Sequence, residues 1–332
     1  MRYWATIAAV LLPALLMGAN PLRIFFVDVE GGQATLIVSP AGRSLLIDTG
    51  WEARDAKRIV AAAKIAGVMQ IDRLIITHYH RDHVGGVGPL AQQIPIAEFF
   101  DHGPIRVPYK GSDTIMDAYE KAHAGKPHRA LAPGDSIDFD GVMVKILASD
   151  NKLLEGKAKG ANPQCQNEAL KPPEATENTY SLGLTLQFGE FRFVDLGDIL
   201  WNQEMALVCP ANLVGKADVI LVTHHGKNTS FPSTLMRSVK PRAAVLNNAP
   251  AKGGSRSTID LIRESLGNED MWQLHKSNEA AERNADEKFI ANPASEDGGH
   301  MLELSAWPDG RFEMLNSRTK WKKVYAAHRQ ER

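Results

Sequence analysis

Short alternations of apolar and polar residues fill the first part of the chain after residue 20 and then give way to longer periods. Leu22 to Glu30 alternates before Gly31-Gly32, and two further apolar runs, Ala34–Val38 and Ser44–Ile47, are split by Pro40-Ala41-Gly42. That pattern predicts an opening meander of strands. Asp55 to Ala66 sets Ile59, Val60, Ala63 and Ile65 at helical spacing, and Gly67 closes the helix. Leu74-Ile75-Ile76 reads as a strand buried on both faces, followed by a helix starting near His83 and continuing through Pro89 to Gln93. A strand over 96–101, an exposed amphipathic helix over 113–124 and two strands between 135 and 149 come next. Residues 150–177 lose all period and read as an inserted loop or flap. A hairpin turning at Gly189-Glu190 has a second strand ending in Asp198. Strands at 219–225, 242–248 and 271–275, a helix at 257–266, a polar surface segment at 276–296 and a hairpin around Pro308-Asp309-Gly310 complete the chain. Strands mixed with helices in this order predict an α/β fold in one domain, residues 20–332.

Composition adds little to this picture and removes one class. The 332 residues are 44% hydrophobic and 23% charged, with a net charge of −1 and no sustained basic run. Tight nucleic-acid binding, which needs clustered Lys and Arg, is not indicated. Residues 1–19 read as a signal peptide: Arg2, then an apolar run from Ile7 to Met17, then Gly18-Ala19. The run is shorter than the roughly 20 residues of a spanning helix. Export to the periplasm or medium, with no anchor left after cleavage, is therefore expected. Two cysteines, Cys165 and Cys209, suit an oxidising compartment. A bridge would tie the insertion to the loop after Trp201, and two free thiols are the alternative.

The strand at 74–76 runs into Thr77-His78-Tyr79-His80-Arg81-Asp82-His83. His78 and His80, two apart on extended backbone, face one side. Asp82 and His83 follow where Gly85-Gly86 lets the chain turn. Three imidazoles and a carboxylate within six residues are the donor types of zinc and related divalent ions.

The His-x-His-x-Asp-His pattern resembles the signature of the metallo-β-lactamase superfamily. The resemblance extends upstream to Leu45–Gly50, which contains Asp48, and downstream to Phe191–Ile199, which contains Asp198, and Val219–Gly226, which contains His224 and His225. The last two motifs are similar to those of ComEC-type competence proteins and bacterial phosphorylcholine esterases. The resemblance implies a four-layer αββα sandwich and two divalent ions, zinc first and manganese or iron as alternatives. It implies that His78, His80 and Asp198 hold one ion, and that Asp82, His83, Asp198 and His225 hold the other. Asp82 also enters the catalytic set, and Asp48 sits behind the ligands, orienting an imidazole. Neighbours on a strand face opposite ways, so one of His224 and His225 is the ligand. The family's glycine after the pair favours His225 and leaves His224 either behind the ligands or as a proton donor to the leaving group.

Many superfamily members carry a further metal-binding His between His83 and Asp198, and this chain has no such motif; Glu177-Asn178-Thr179 lies in its place. A hydroxide shared by two ions would attack phosphorus with an open position for a phosphate oxygen. Hydrolysis of a phosphoester, a diester first, is the expected reaction on a small-molecule or phosphodiester substrate. An acyl hydrolase of lactone or β-lactam type is the alternative, and a binding protein on an inactive scaffold is the non-enzyme alternative. Asn178, Asn247, Lys252 and His102 are candidate substrate contacts, and His275 is a candidate catalytic or substrate-contacting residue.

Overall fold

The computed structural model describes residues 20–156, 160–165, 168–293 and 298–327, so the signal-peptide segment lies outside the described residues. The first half contributes β1 (Leu22–Phe26), β2 (Thr35–Val38), β3 (Ser44–Ile47), β4 (Ile71–Ile75), β5 (Ile96–Asp101) and β6 (His128–Ala130). Its helices are α1 (Ala53–Ala66), α2 (Arg81–Val84), α3 (Val87–Ala91) and α4 (Ser112–His123). The second half contributes β7 (Ser136–Phe139), β8 (Val142–Ser149), β9 (Lys152–Leu153), β10 (Gly183–Phe188), β11 (Phe191–Asp195), β12 (Val219–Leu221), β13 (Ala243–Leu246), β14 (Met271–His275) and β15 (Ile290–Asn292). Its helices are α5 (Trp201–Val208), α6 (Ser233–Val239) and α7 (Arg256–Leu266). The chain then returns to the first sheet with β16 (Leu302–Ala306), β17 (Phe312–Asn316) and β18 (Lys322–Tyr325).

Two mixed sheets result. One runs β18-β17-β16-β1-β2-β3-β4-β5-β6, and the other runs β15-β14-β13-β12-β11-β10-β8-β7 with β9 beside β8. Ile24, Phe26, Ile47 and Ile75 of the first sheet join Leu184, Phe193, Val219 and Val245 of the second in one buried core. The opposite face of the first sheet (Phe25, Leu36, Leu46, Leu74) packs on Ile59 and Ala63 of α1, Leu90 of α3 and Tyr119 of α4. Leu207, Leu235, Met236, Ile259 and Ile262 place α5, α6 and α7 on the second sheet. These layers are the αββα sandwich. Strands such as Leu45–Ile47 are apolar at consecutive positions because both their faces are covered.

Several elements depart from the pattern expected along the chain. The helix expected from His83 to Gln93 is broken into α2 and α3 at Gly85-Gly86. A Cβ on Gly85 would lie 2.1 Å from the Trp51 carbonyl oxygen, and one on Gly86 would lie 2.1 Å from that of Thr49. The glycines let the 49–51 loop pass against the helix start, which brings Asp48 under His83. The polar segment 276–296 is not all surface loop, because β15 extends the second sheet parallel to β14. α5, α6, β6 and β18 carried no periodic signal of sufficient length. Cys165 and Cys209 are bridged, with Cα atoms 5.7 Å apart, which fastens part of the insertion to the end of α5. No helix among the described residues is long and apolar enough to cross a membrane.

Candidate metal centre

β3 and β4 lie side by side and parallel, so their exits deliver Asp48 and Thr77 to one place. Asp48 holds the left-handed φ of 62°. Its carboxylate accepts the Thr77 backbone N–H and hydroxyl, both at 2.7 Å, and the His83 Nδ1–H at 2.6 Å. The His83 proton is thereby held on Nδ1, and Nε2 is left to face the opposite side. Burial pushes the Asp48 carboxyl up, and the facing His83 pulls it back.

Around His83 Nε2 stand Asp82 Oδ2 and Asp198 Oδ2, each at 3.4 Å, and His225 Nε2 at 3.2 Å. His225 Nε2 also lies 3.2 Å from Asp82 and 3.3 Å from Asp198. These four buried side chains offer one ligand atom each within 4.8 Å of one another. Beside them, His78 Nε2 lies 3.9 Å from the same Asp198 oxygen and 2.9 Å from His80 Nδ1. His78 and His80 therefore face one space, as the extended spacing predicts, and Asp198 Oδ2 adjoins both groups.

The donor set fits a divalent cation on three observations. It combines imidazole nitrogens and carboxylate oxygens at coordination-like spacing. Asp198 Oδ1 is buried without a hydrogen-bond partner in the structure. The ammonium of Lys252 sits directly on Asp82 Oδ2 as a stand-in positive charge, and it rests 4.4 Å over the Trp51 ring. Burial alone would raise the Asp82 and Asp198 carboxyls, but the surrounding imidazoles, with Lys252 at Asp82, hold both well below the usual range.

The His224–His225 pair corrects the strand argument. β12 ends at Leu221, and both histidines take left-handed backbone, φ 54° and 57°. Successive side chains therefore do not alternate across a sheet. Both Nε2 atoms approach Asp198 Oδ2, His224 at 3.6 Å and His225 at 3.3 Å. Such backbone costs about 1–3 kcal/mol per residue and persists only where neighbours over-determine it. Here the His224 N–H donates to the Gly197 carbonyl at 3.0 Å, and the His225 carbonyl accepts from Gly254 N–H at 2.8 Å. A Cβ on Gly253 would lie 2.2 Å from the His225 carbonyl oxygen, so only glycine admits this approach. His225 joins the four-residue cluster and His224 does not. Instead, His224 Nδ1 meets Thr229 Oγ1 at 3.0 Å, and its Nε2 meets the Asn178 amide at 3.2 Å. Burial pushes the His224 imidazolium down to about 3.

Other expected site residues divide. Asn178 is buried and stands against His224, its amide 3.2 Å from Nε2. Lys252 reaches the centre. His275 does not: it is buried, its Nε2 is 2.7 Å from Asp28 Oδ1 across the two sheets, and Arg58 donates to the other oxygen of that carboxylate. A catalytic or substrate-contacting place for His275 is thus replaced by an inter-sheet tie. His102 is likewise buried, with Nε2 3.1 Å from Glu177, whose other oxygen accepts the Arg106 and Val107 N–H groups. That pair joins the end of the insertion to the 103–107 loop and is closed to a ligand. Asn247 is buried, its Oδ1 without a partner in the structure. Thr77, Trp51 and Tyr109, whose ring stands 5.6 Å from that of His80, were not foreseen. Nothing in their sequence context separates them from ordinary core and loop residues.

Residues 27–150, with the Asp48–His83 half of this centre, match the metallo-beta-lactamase superfamily. Those residues belong to a metallo-β-lactamase superfamily domain. Over 266 residues it is 25% identical to competence protein ComA of Neisseria gonorrhoeae, covering 76% of this chain and 33% of that protein. Over 247 residues it is 25% identical to thioesterase pkgB of Emericella nidulans, covering 70% of this chain and 61% of that one. The chain thus spans less than two thirds of the length of either relative. Among solved structures, the metallo-beta-lactamase fold protein YhfI from Bacillus subtilis aligns over 76% of this chain and 95% of its own, with 14% identity and a TM-score of 0.46.

Proposed function

We propose that this protein is a metal-dependent hydrolase of phosphoesters, with a phosphodiester as the favoured substrate, and that two divalent ions, zinc first, occupy the centre. Asp82, His83, Asp198 and His225 would hold one ion, and His78, His80 and Asp198 the other. Such ions supply a water nucleophile that is reactive at neutral pH and neutralise charge that builds on the attacked group. The residues of the chain set the rest. Asp48 and Thr77 fix the His83 ring, and Asp198 sits between both sets of imidazoles. His224, kept neutral by burial, faces the Asn178 amide with Nε2 and has no proton to give there; it would instead position that amide beside the centre.

The observation that carries the phosphoester reading is Lys252. Its ammonium is held at the edge of the centre by Asp82 and the Trp51 face. A positive charge at that edge, which the Trp51 face still holds when a metal ion takes Asp82, favours a substrate that is anionic before reaction, as a phosphodiester is and a simple lactone is not. The amide of Asn178 supports the same reading, since it presents neutral hydrogen-bonding groups at the place of another imidazole. Acyl-ester hydrolysis is the second reading, favoured by the similarity to a protein named as a thioesterase.

Purified protein is expected to hydrolyse bis-p-nitrophenyl phosphate, to lose this activity with EDTA and to regain it with Zn²⁺ or Mn²⁺. Turnover of a thioester, lactone or nitrocefin with the diester left intact would replace the phosphoester reading by the acyl one.

A further inference from the structure

Gln33, buried in the loop between β1 and β2, joins three segments that converge on the candidate centre. Its backbone N–H donates to the Asp82 carbonyl at 3.1 Å, and its own carbonyl accepts the Gly50 N–H at 2.9 Å. A Cβ on the preceding Gly32 would lie 2.3 Å from the Asp82 carbonyl oxygen, so glycine lets this loop press directly on the Asp82 backbone. The third contact crosses to the other sheet. The Gln33 amide donates from Nε2 to Asp195 Oδ2 at 2.7 Å.

Asp195 ends β11 and is buried at the start of the turn that carries Asp198. Its Oδ1 accepts the Gly197 N–H at 2.9 Å, and the Gly197 carbonyl accepts the His224 N–H at 3.0 Å. A buried carboxyl costs free energy unless its oxygens are hydrogen-bonded. One of these two bonds stays inside the turn and shapes it locally. The other reaches a residue 162 positions earlier and fixes where the turn lies relative to the Asp82 loop. Asp82 and Asp198 are the carboxylates of the four-residue cluster, each 3.4 Å from His83 Nε2. They arrive from opposite sheets and repel one another as like charges. A tie behind them holds their spacing in advance, and a site ordered in advance loses less entropy on binding.

We propose that Gln33 and Asp195 are positioning residues of the metal centre: their cross-sheet bond sets the spacing of Asp82 and Asp198, and with it the affinity for the ion those carboxylates share. The proposal rests on the metal-dependent reading above and adds two residues that touch neither ion nor substrate.

The test measures zinc affinity by chelator competition, and the visible spectrum of the Co²⁺-substituted protein, in the wild type and a set of variants. Gln33→Met keeps the length of the side chain and removes the amide; Gln33→Asn draws the amide back by one methylene. Asp195→Asn retains the tie, because two amides can pair as donor and acceptor while the remaining oxygen still takes the Gly197 N–H. Asn316→Ala removes a buried amide that donates to the Lys288 and Ile290 carbonyls, outside the centre, and controls for loss of stability alone. Thermal melting ranks the stability of every form. Both Gln33 variants are expected to bind zinc about tenfold or more weakly and to shift the Co²⁺ spectrum, with Asp195→Asn and Asn316→Ala close to the wild type. An unchanged zinc affinity in the Gln33 variants, or an equal fall in Asp195→Asn or Asn316→Ala, would overturn the inference and leave the metal-centre reading standing. A wild type that binds no zinc would overturn both.

Discussion

At the scale of single residues, the organisation of the centre depends on Asp48, which never touches the space between the ligands. Its carboxylate accepts from Thr77 and His83 at once, so a change of charge there should act through ring orientation. Asp48→Asn suits the test because Asn tolerates the left-handed φ that Asp48 adopts. Zinc affinity, measured by chelator competition, is expected to fall about 10- to 100-fold with the fold retained; an unchanged affinity would remove Asp48 from this role. His225→Ala is expected to lose bound metal on elemental analysis. His224→Ala is expected to keep it while turnover falls, and the reverse pattern would exchange the two assignments. Sequence reasoning reached His78, His80, Asp82, His83, Asp198 and His225 because donor types crowd into short motifs. It did not reach Thr77, Trp51 or Tyr109, whose place depends on which loops meet. His275 and His102 were misplaced for a related reason: a histidine at a strand exit can face a site or a buried carboxylate, and only the far partner, Asp28 or Glu177, decides.

At the scale of elements, the loop exits are more informative than the strands. The local pattern predicts that the strand continues from β12 through His225, and a strand would separate the two histidines. The actual turn is held by Gly253 and Gly254 of a loop nearly thirty residues later, a contact that local periodicity does not encode. α5 holds the chain just after that turn. The fully buried Glu204 accepts the Phe231 N–H at 2.6 Å, and burial pushes its carboxyl up to about 8. The folded state therefore keeps a proton that the unfolded chain releases near the ordinary value of 4.5. Glu204 makes stability fall as pH rises from about 4.5 to about 8, with no further change above that window. Glu204→Gln retains the acceptor and removes the titration. Chemical denaturation between pH 5 and 8 is expected to show a variant whose stability declines less steeply, by up to about 1.4 kcal/mol per pH unit. Parallel wild-type and variant profiles would contradict this.

At the scale of the whole molecule, two sheets packed face to face bring four strand exits from both halves of the chain to one point. β3 and β4 deliver Asp48 and the histidine run, β11 delivers Asp198, and β12 delivers His225. The layer architecture was legible because β3 from Leu45 onward, β4 and β12 are apolar at their buried positions and their polar exits carry the motifs. The short helices α5 and α6 and the edge strands β6, β15 and β18 were not, since three to eight residues hold too little period to distinguish from loop. The whole arrangement has meaning only if the converging side chains hold metal. Anomalous scattering from crystals grown with Zn²⁺, recorded on both sides of the zinc edge, tests that claim most directly. The account predicts a peak enclosed by Asp82, His83, Asp198 and His225, with Lys252 displaced from Asp82. An empty map at that point, with the Lys252 ammonium still seated on Asp82, would contradict it.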